Sequence, residues 1–298
     1  MPILLAGDGV KRDARRNRED SFQRWHKLRA RSWLKIDASF SSNMLVKLKK
    51  PTLLCVALSF CLGMARADLV SHWPLDGDAN DIVGNHDGEV SGGVAFGAKG
   101  AAAHTGTAAE FNGLSSTITV PHSTELNPQS FTLALWARSD GGAGAWNSPV
   151  TSRHDLNPDS QGYLIYDSKP SGVWTFWSGN GTKNGNWQTL DGPKVIVGEW
   201  QHIAITYDNV TETKKLYVDG KFKVKQNEAV FPNDRTPFNI GSGADYGGSY
   251  YFDGLIDDIA FWDNALTLKE IQDVMNNGVP RGAPAVINFS ASPPLINS

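Results

Sequence analysis

From residue 68 onward, apolar positions recur mostly with a period of two, the signature of half-buried strands. Ser130–Arg138, Gly162–Tyr166, Gly172–Trp177 and Gln201–Tyr207 are rich in aromatic and β-branched residues, and Gly, Asn, Asp and Pro clusters separate them. Lys215–Val224 predicts a hairpin, with Asp219-Gly220 as a two-residue turn at positive φ. A single segment changes period. Thr267 and Glu270 form a capping box, Leu268, Ile271, Val274 and Met275 an apolar stripe, and Gly278 the stop. The pattern predicts an all-β, two-sheet antiparallel β-sandwich or jelly roll with one short C-terminal helix.

The first 67 residues follow another pattern. Residues 44–67 read as a basic start, an apolar run from Leu53 to Met64, and Ala65-Arg66-Ala67, the three parts of a secretory signal peptide. The run is too short to span a bilayer as a helix, so no membrane span is expected. Residues 1–43 carry ten Lys+Arg and no apolar period, and are expected to be a mis-called start or a disordered basic leader. Both cysteines, Cys55 and Cys61, fall inside the signal, so the mature chain has no disulfide and no thiol nucleophile. Residues 68–298 hold 14 Lys+Arg against 26 Asp+Glu, a net charge of −12. That charge disfavours nucleic acid as a partner, and the signal points to a secreted or extracytoplasmic location, in the periplasm or at the cell surface. Residues 279–298 are a Pro/Ala/Ser linker, either the start of a truncated immunoglobulin-like or PKD-type repeat or a plain tail.

Several short motifs appear in order: Trp73–Gly77 followed by Asp81, Ala109–Gly113, Ser130–Trp136, Gly198–His202, Leu216–Lys221 and Phe252–Asp258, then Ala265-Leu266 and Glu270-Ile271. In this order they resemble the laminin-G-like, concanavalin A-like jelly-roll domains of secreted bacterial proteins, over residues 69–278. The resemblance implies a lectin-like sandwich, a binding or adhesion role within exported proteins, and a structural Ca2+.

Strict alternation along Leu255–Trp262 puts Leu255, Asp257, Ile259 and Phe261 on one face and Ile256, Asp258, Ala260 and Trp262 on the other. Either face would aim a carboxylate inward, and a buried carboxylate needs a cation or several donors. The resemblance favours Asp257. Asp76, Asp78 and Asp81 cluster beside a Gly turn, and hard oxygen donors in a loop suit calcium. The expected ligands are Asp257, Asp76, Asp81 and the carbonyl of Gly77. Without a metal, the same carboxylates would cap turns through backbone N–H groups.

Catalytic signals are sparse. Residues 68–298 contain seven Glu, and none is followed two places on by Asp or Glu, so the same-strand carboxylate pair of sandwich glucanases is missing. His202 reads as a core histidine, and His154 beside Asp155 as an ordinary surface residue. Exposed aromatic and amide groups suited to sugars are Trp146, Asn147, Trp187, Asp245, Tyr246 and Tyr250, whereas Trp73, Trp136, Trp200 and Trp262 read as core. The expected function is an exported, calcium-stabilised, non-catalytic binding module for a glycan or an extracellular protein. A glycan-processing enzyme using scattered Asp residues, or a structural spacer of a multidomain surface protein, are the alternatives. The oligomeric state has no signal in the sequence.

Overall fold

A computed structural model describes residues 67–142, 146–155, 160–168, 172–182, 187–243 and 249–280. The basic leader, all of the export signal but Ala67, and the tail beyond Pro280 lie outside the described residues. So do Asp245 and Tyr246.

Fifteen strands are described: β1 Leu69–Trp73, β2 Glu89–Ser91, β3 Ala95–Lys99, β4 Thr107–Asn112, β5 Thr117–Val120, β6 Phe131–Ser139, β7 Trp146–His154, β8 Gln161–Ser168, β9 Val173–Gly179, β10 Trp187–Lys194, β11 Gln201–Asp208, β12 Thr213–Val218, β13 Lys221–Asn227, β14 Phe238–Ile240 and β15 Asp253–Trp262. The helix α1 spans Leu268–Asn277. The first sheet runs β13-β12-β11-β6-β15-β4-β3, with β1 also pairing with β15; the second runs β10-β9-β8-β7-β14-β5-β2. The ladders of both sheets are antiparallel. The predicted hairpin and helix are both present. Asp219 and Gly220 adopt φ values of 53° and 61°. Thr267 and Glu270 close a reciprocal capping box, and Gly278 ends the helix.

The core lies between the sheets. Trp73 stacks on Phe238 at 5.4 Å, tying the first strand of one sheet to the other sheet. Phe131 sits between Tyr163 at 4.5 Å and Phe261 at 5.8 Å. A second apolar cluster covers the opposite face of the first sheet, where Ala134, Ala204 and Ala260 meet Ile271 and Val274 of α1. The three alanines stand on neighbouring strands in register. Their small side chains let the helix approach the sheet closely. On the same face, Asp257, Trp136 and His202 form a cross-strand row. Trp136 meets the His202 ring edge-on at 5.1 Å. Burial, together with the nearby His104, pushes the His202 imidazole down to about 3, so it is neutral at ordinary pH.

Three sequence expectations need correction. Strict alternation fails along β15, because a bulge lies between Asp257 and Ala260 and Asp258 adopts φ 53°. Ile256, Ile259 and Phe261 therefore join the main core, while Ala260 and Trp262 join the cluster under α1. His154 is the buried last residue of β7, not a surface loop residue, because the strand continues through Thr151, Ser152 and Arg153 past its last apolar position, Val150. Trp73 and Trp262 are buried as expected, whereas Trp136 and Trp200 are only half-buried.

Candidate functional site

Two places gather chemically capable side chains. The first is the outer face of the second sheet. Core residues Val150, Tyr163, Ile165, Trp174, Phe176 and Leu190 point inward, so the alternate positions Arg153, Tyr166, Trp177 and Trp187 point outward. Arg153 on β7 pairs with Gly162 on β8, and Trp187 on β10 pairs with Gly179 on β9. The two middle strands thus contribute only glycine to this row. Neighbouring strands lie about 4.8 Å apart, so side chains from β7 and β10 meet only because the floor between them is bare. The Arg153 guanidinium carbon lies 5.3 Å from the Trp187 ring centre and 5.9 Å from that of Tyr250. Gly162 has φ +91°, and a Cβ there would strike the Ser152 carbonyl, so the backbone also requires glycine.

Tyr166 is the hub of this face. It is 3% exposed, and its ring meets Trp146 at 5.3 Å, Trp177 at 5.4 Å and Tyr250 at 5.9 Å. Its hydroxyl accepts a 2.9 Å hydrogen bond from Arg153 Nη1. Burial holds the phenol well above its ordinary value, so it stays protonated. Arg153 also donates to the Gly243 carbonyl at 3.1 Å and pairs with Asp155. Trp146, Trp177 and Trp187 keep part of their surface exposed, and Tyr250 is 40% exposed. The structure therefore unites three of the predicted aromatics: Trp146, Trp187 and Tyr250. Asn147 is buried, and with its amide turned over the nitrogen would donate to the backbone carbonyls of Trp146 and Tyr251. Arg153, Tyr166 and Trp177 were missed as site residues. Strand alternation alone would have set Tyr166 and Trp177 opposite the core residues Ile165 and Phe176.

The second place is a seam in the first sheet. Residues 253–256 of β15 pair with β4, and residues 259–262 pair with β1. The bulge carrying Asp257 and Asp258 falls at this change of partner. Asp258 Oδ1 lies 2.5 Å from His72 Nε2. Asp257 is fully buried; its Oδ2 accepts from the Ala101 N–H at 2.9 Å, while Oδ1 has no partner. Burial pushes the Asp257 carboxyl up to about 7, against hydrogen bonds from Thr105 and Ala101, and the charges of Asp258 and Asp76 add to the rise.

Two glycines bring further oxygens into this region. A Cβ on Gly100 would meet the Gly106 carbonyl oxygen at 2.4 Å and Asp257 Oδ2 at 3.0 Å, and one on Gly106 would meet Asp76 Oδ1 at 2.0 Å. Asp76 also accepts the Thr107 N–H at 2.6 Å. Asp81 serves elsewhere. Its Oδ1 accepts the N–H groups of His72, Val83 and Gly84, and its Oδ2 that of His86. Burial alone would raise this carboxyl, but the donors hold it below the usual range. Gly77 is exposed beside Asp76. Among the described residues, no group of three or more His, Cys, Asp or Glu stands ready for a metal. An open cleft of about 530 Å³ adjoins the seam, lined by His72, Asp76, His104, Thr105, Asp258 and Asp273 among others.

A family model described as the concanavalin A-like lectin/glucanases superfamily matches residues 112–272. The chain belongs to that superfamily. Its fold is similar to domain 4 of AbnA, a GH43 extracellular arabinanase from Geobacillus stearothermophilus, solved in complex with arabinotriose. That likeness has 23% identity and a TM-score of 0.56, and covers 70% of this chain and 98% of the domain. The binding domain of Paraclostridial Mosquitocidal Protein 1 is similar at 18% identity and TM-score 0.53, over 70% of this chain and 52% of that one. In sequence, the chain is 30% identical over 84 residues to C-reactive protein of Xenopus laevis. The match covers 26% of this chain and 35% of that protein, so the chain spans about a third of the curated relative's length. No helix among the described residues is long and apolar enough to cross a membrane.

The protonation of Asp257 yields a prediction for metal-free protein. Its carboxyl titrates near 7 when folded against 3.8 as a free group, so it favours the fold most at low pH. That contribution disappears as pH rises through about 7. In chelator, thermal melts from about pH 4 to about pH 8 should show Asp257→Asn gaining stability relative to wild type as pH rises. Parallel pH profiles for the two proteins would contradict the burial of an uncompensated carboxyl.

Proposed function

We propose that this chain is an exported, non-catalytic glycan-binding module, and that the ligand lies on the outer face of the second sheet. One observation carries the reading: Trp146, Tyr166, Trp177, Trp187 and Tyr250 converge there around one anchored arginine. Partly exposed rings can stack on the apolar C–H face of a sugar, while buried Tyr166 and Arg153 hold them in position. The arabinotriose held by the similar AbnA domain is a ligand of that chemistry. Export is supported by the basic, apolar and Ala65-Arg66-Ala67 order at residues 44–67.

A catalytic reading has one feature in its favour, the carboxylates of Asp76, Asp258 and Asp273 around the open cleft. Asp258 is engaged by His72, and Asp273 by Lys269 at 2.6 Å.

Calcium belongs to the same proposal, as a structural ion. The unpartnered Asp257 Oδ1 and the nearby oxygens of Asp76 and Gly106 fit a hard cation. Asp81 falls outside this set, because backbone donors already occupy both its oxygens. A bound cation would compensate the two carboxylates and stabilise the join between β15, β4 and β1.

Two measurements test these statements. Affinity electrophoresis of the protein through a panel of polysaccharides, scored also for released reducing ends, should show retardation without cleavage. Trp187→Ala should weaken retention about tenfold or more, in line with the roughly 2 kcal/mol or more lost when an aromatic anchor at the centre of a binding site is truncated. Retention that survives Trp187→Ala together with Trp146→Ala would remove the site, and cleavage lost on mutating one cleft carboxylate would favour the enzyme. Separately, calcium at about 100 times its Kd adds roughly 2.7 kcal/mol to the folded state, enough to raise the melting temperature by several degrees. The rise should vanish in Asp257→Asn, and an unmoved wild-type melt would remove calcium.

A further inference from the structure

We infer that the aromatic face takes neutral glycans and rejects anionic ones, because Arg153 is a positioning residue whose charge is paired and whose two terminal nitrogens are already engaged. This inference rests on the glycan-binding reading of the same face and deepens it. A lone arginine among aromatic rings would ordinarily suggest a receptor for a carboxylate or sulfate, since its planar fork matches such groups with two parallel bonds. Here the fork is occupied. Nη1 donates to the Tyr166 hydroxyl and the Gly243 carbonyl, and Nη2 to the Asp155 carboxylate. The guanidinium lies near the Trp187 and Tyr250 rings, and the side chain is 13% exposed.

Among the described residues, the rest of the face is balanced as well. Asp191, directly across from Thr175, is exposed on β10, and Lys194 on the same strand pairs with Val173. The two charges offset one another as Asp155 offsets Arg153. An anionic sugar would have to displace Asp155 from a partly buried pair, leaving one carboxylate uncompensated. Charges farther away are screened over about 8 Å at physiological salt, so this local balance sets the preference. A neutral sugar ring needs no such exchange. It requires rings at fixed spacing, and Arg153 supplies that by holding Tyr166, Trp187 and Tyr250 across the glycine floor.

The test compares neutral polysaccharides (arabinan, xylan, mixed-linkage glucan) with anionic ones (polygalacturonate, hyaluronan) and with sialyllactose. It uses affinity electrophoresis and titration calorimetry at low and high salt. Wild type should bind within the neutral set, with an affinity that salt does not change. Asp155→Asn frees the guanidinium, and binding of an anionic glycan should rise about tenfold or more and be suppressed by salt. Arg153→Lys keeps the charge but loses the planar contacts, so neutral-glycan affinity should fall about tenfold while the melt confirms a folded domain. Salt-sensitive binding of anionic glycans by wild type would overturn the inference and leave the glycan-binding reading standing. Failure of Asp155→Asn to gain any anionic binding would also overturn it. Should wild type retain neither class, the glycan reading falls and this inference falls with it. The wild-type panel decides between neutral and anionic even if a variant does not fold.

Discussion

One strand carries the architecture. β15 lies beside β6 along both halves and changes partner on its other side, from β4 to β1. Through it the first and last strands of the domain share a sheet, although Leu69 and Trp262 are far apart in sequence. β4 and β1 both run antiparallel to β15 but meet different halves of it, and the ladder breaks between them. The bulge at Asp257–Asp258 is that break. It turns Ile256 and Ile259 into the same core, delivers Ala260 and Trp262 to the helix, and leaves two carboxylates buried where the sheet changes partner. Asp258 is answered by His72, whereas Asp257 is answered only in part.

The two sheets do different work. The face of the first sheet away from the core is sealed by α1 over a row of alanines, so much of it is lost to solvent. The matching face of the second sheet has no helix over it among the described residues. Its aromatic residues instead pack around a buried tyrosine and a paired arginine. A hydrophobic face left open in this way would tend to close on itself or attract another molecule. The hydrogen bonds of Arg153 and the glycine floor keep it open as a shallow, rigid platform. Rigidity matters because ordering side chains on binding costs affinity.

Much of the fold could be read from residue order alone. Period-two runs located the central strands, Asp219-Gly220 the hairpin and Thr267 to Gly278 the helix. These signals are local, depending on alternation, turn chemistry and caps within a few residues. The structure departs from that reading where the answer was not local. Nothing around Asp258 announces a left-handed residue, so strict alternation misassigned the faces of β15. Asp81 resembled a cation ligand beside Asp76, yet the path of the chain through Gly84 and His86 wraps backbone donors around it. Trp146, Trp187 and Tyr250 stood out as aromatics in polar surroundings. Arg153 did not, because its role depends on Gly162 and Gly179 lying between it and Trp187, and only strand register reveals that.

The central claim is that ligand chemistry resides on the outer face of the second sheet, and indole resonances report on it directly. The indole N–H of Trp73 donates to the His86 carbonyl and that of Trp174 to Gln201, both inside the fold. Trp146, Trp177 and Trp187 border the proposed platform. With the indole N–H signals assigned by single Trp→Phe variants, titration with a neutral oligosaccharide that the protein retains should shift those of Trp146, Trp177 and Trp187. The signals of Trp73 and Trp174 should stay in place. Shifts confined to residues lining the His72–Asp258 cleft, with the platform indoles unmoved, would contradict the account.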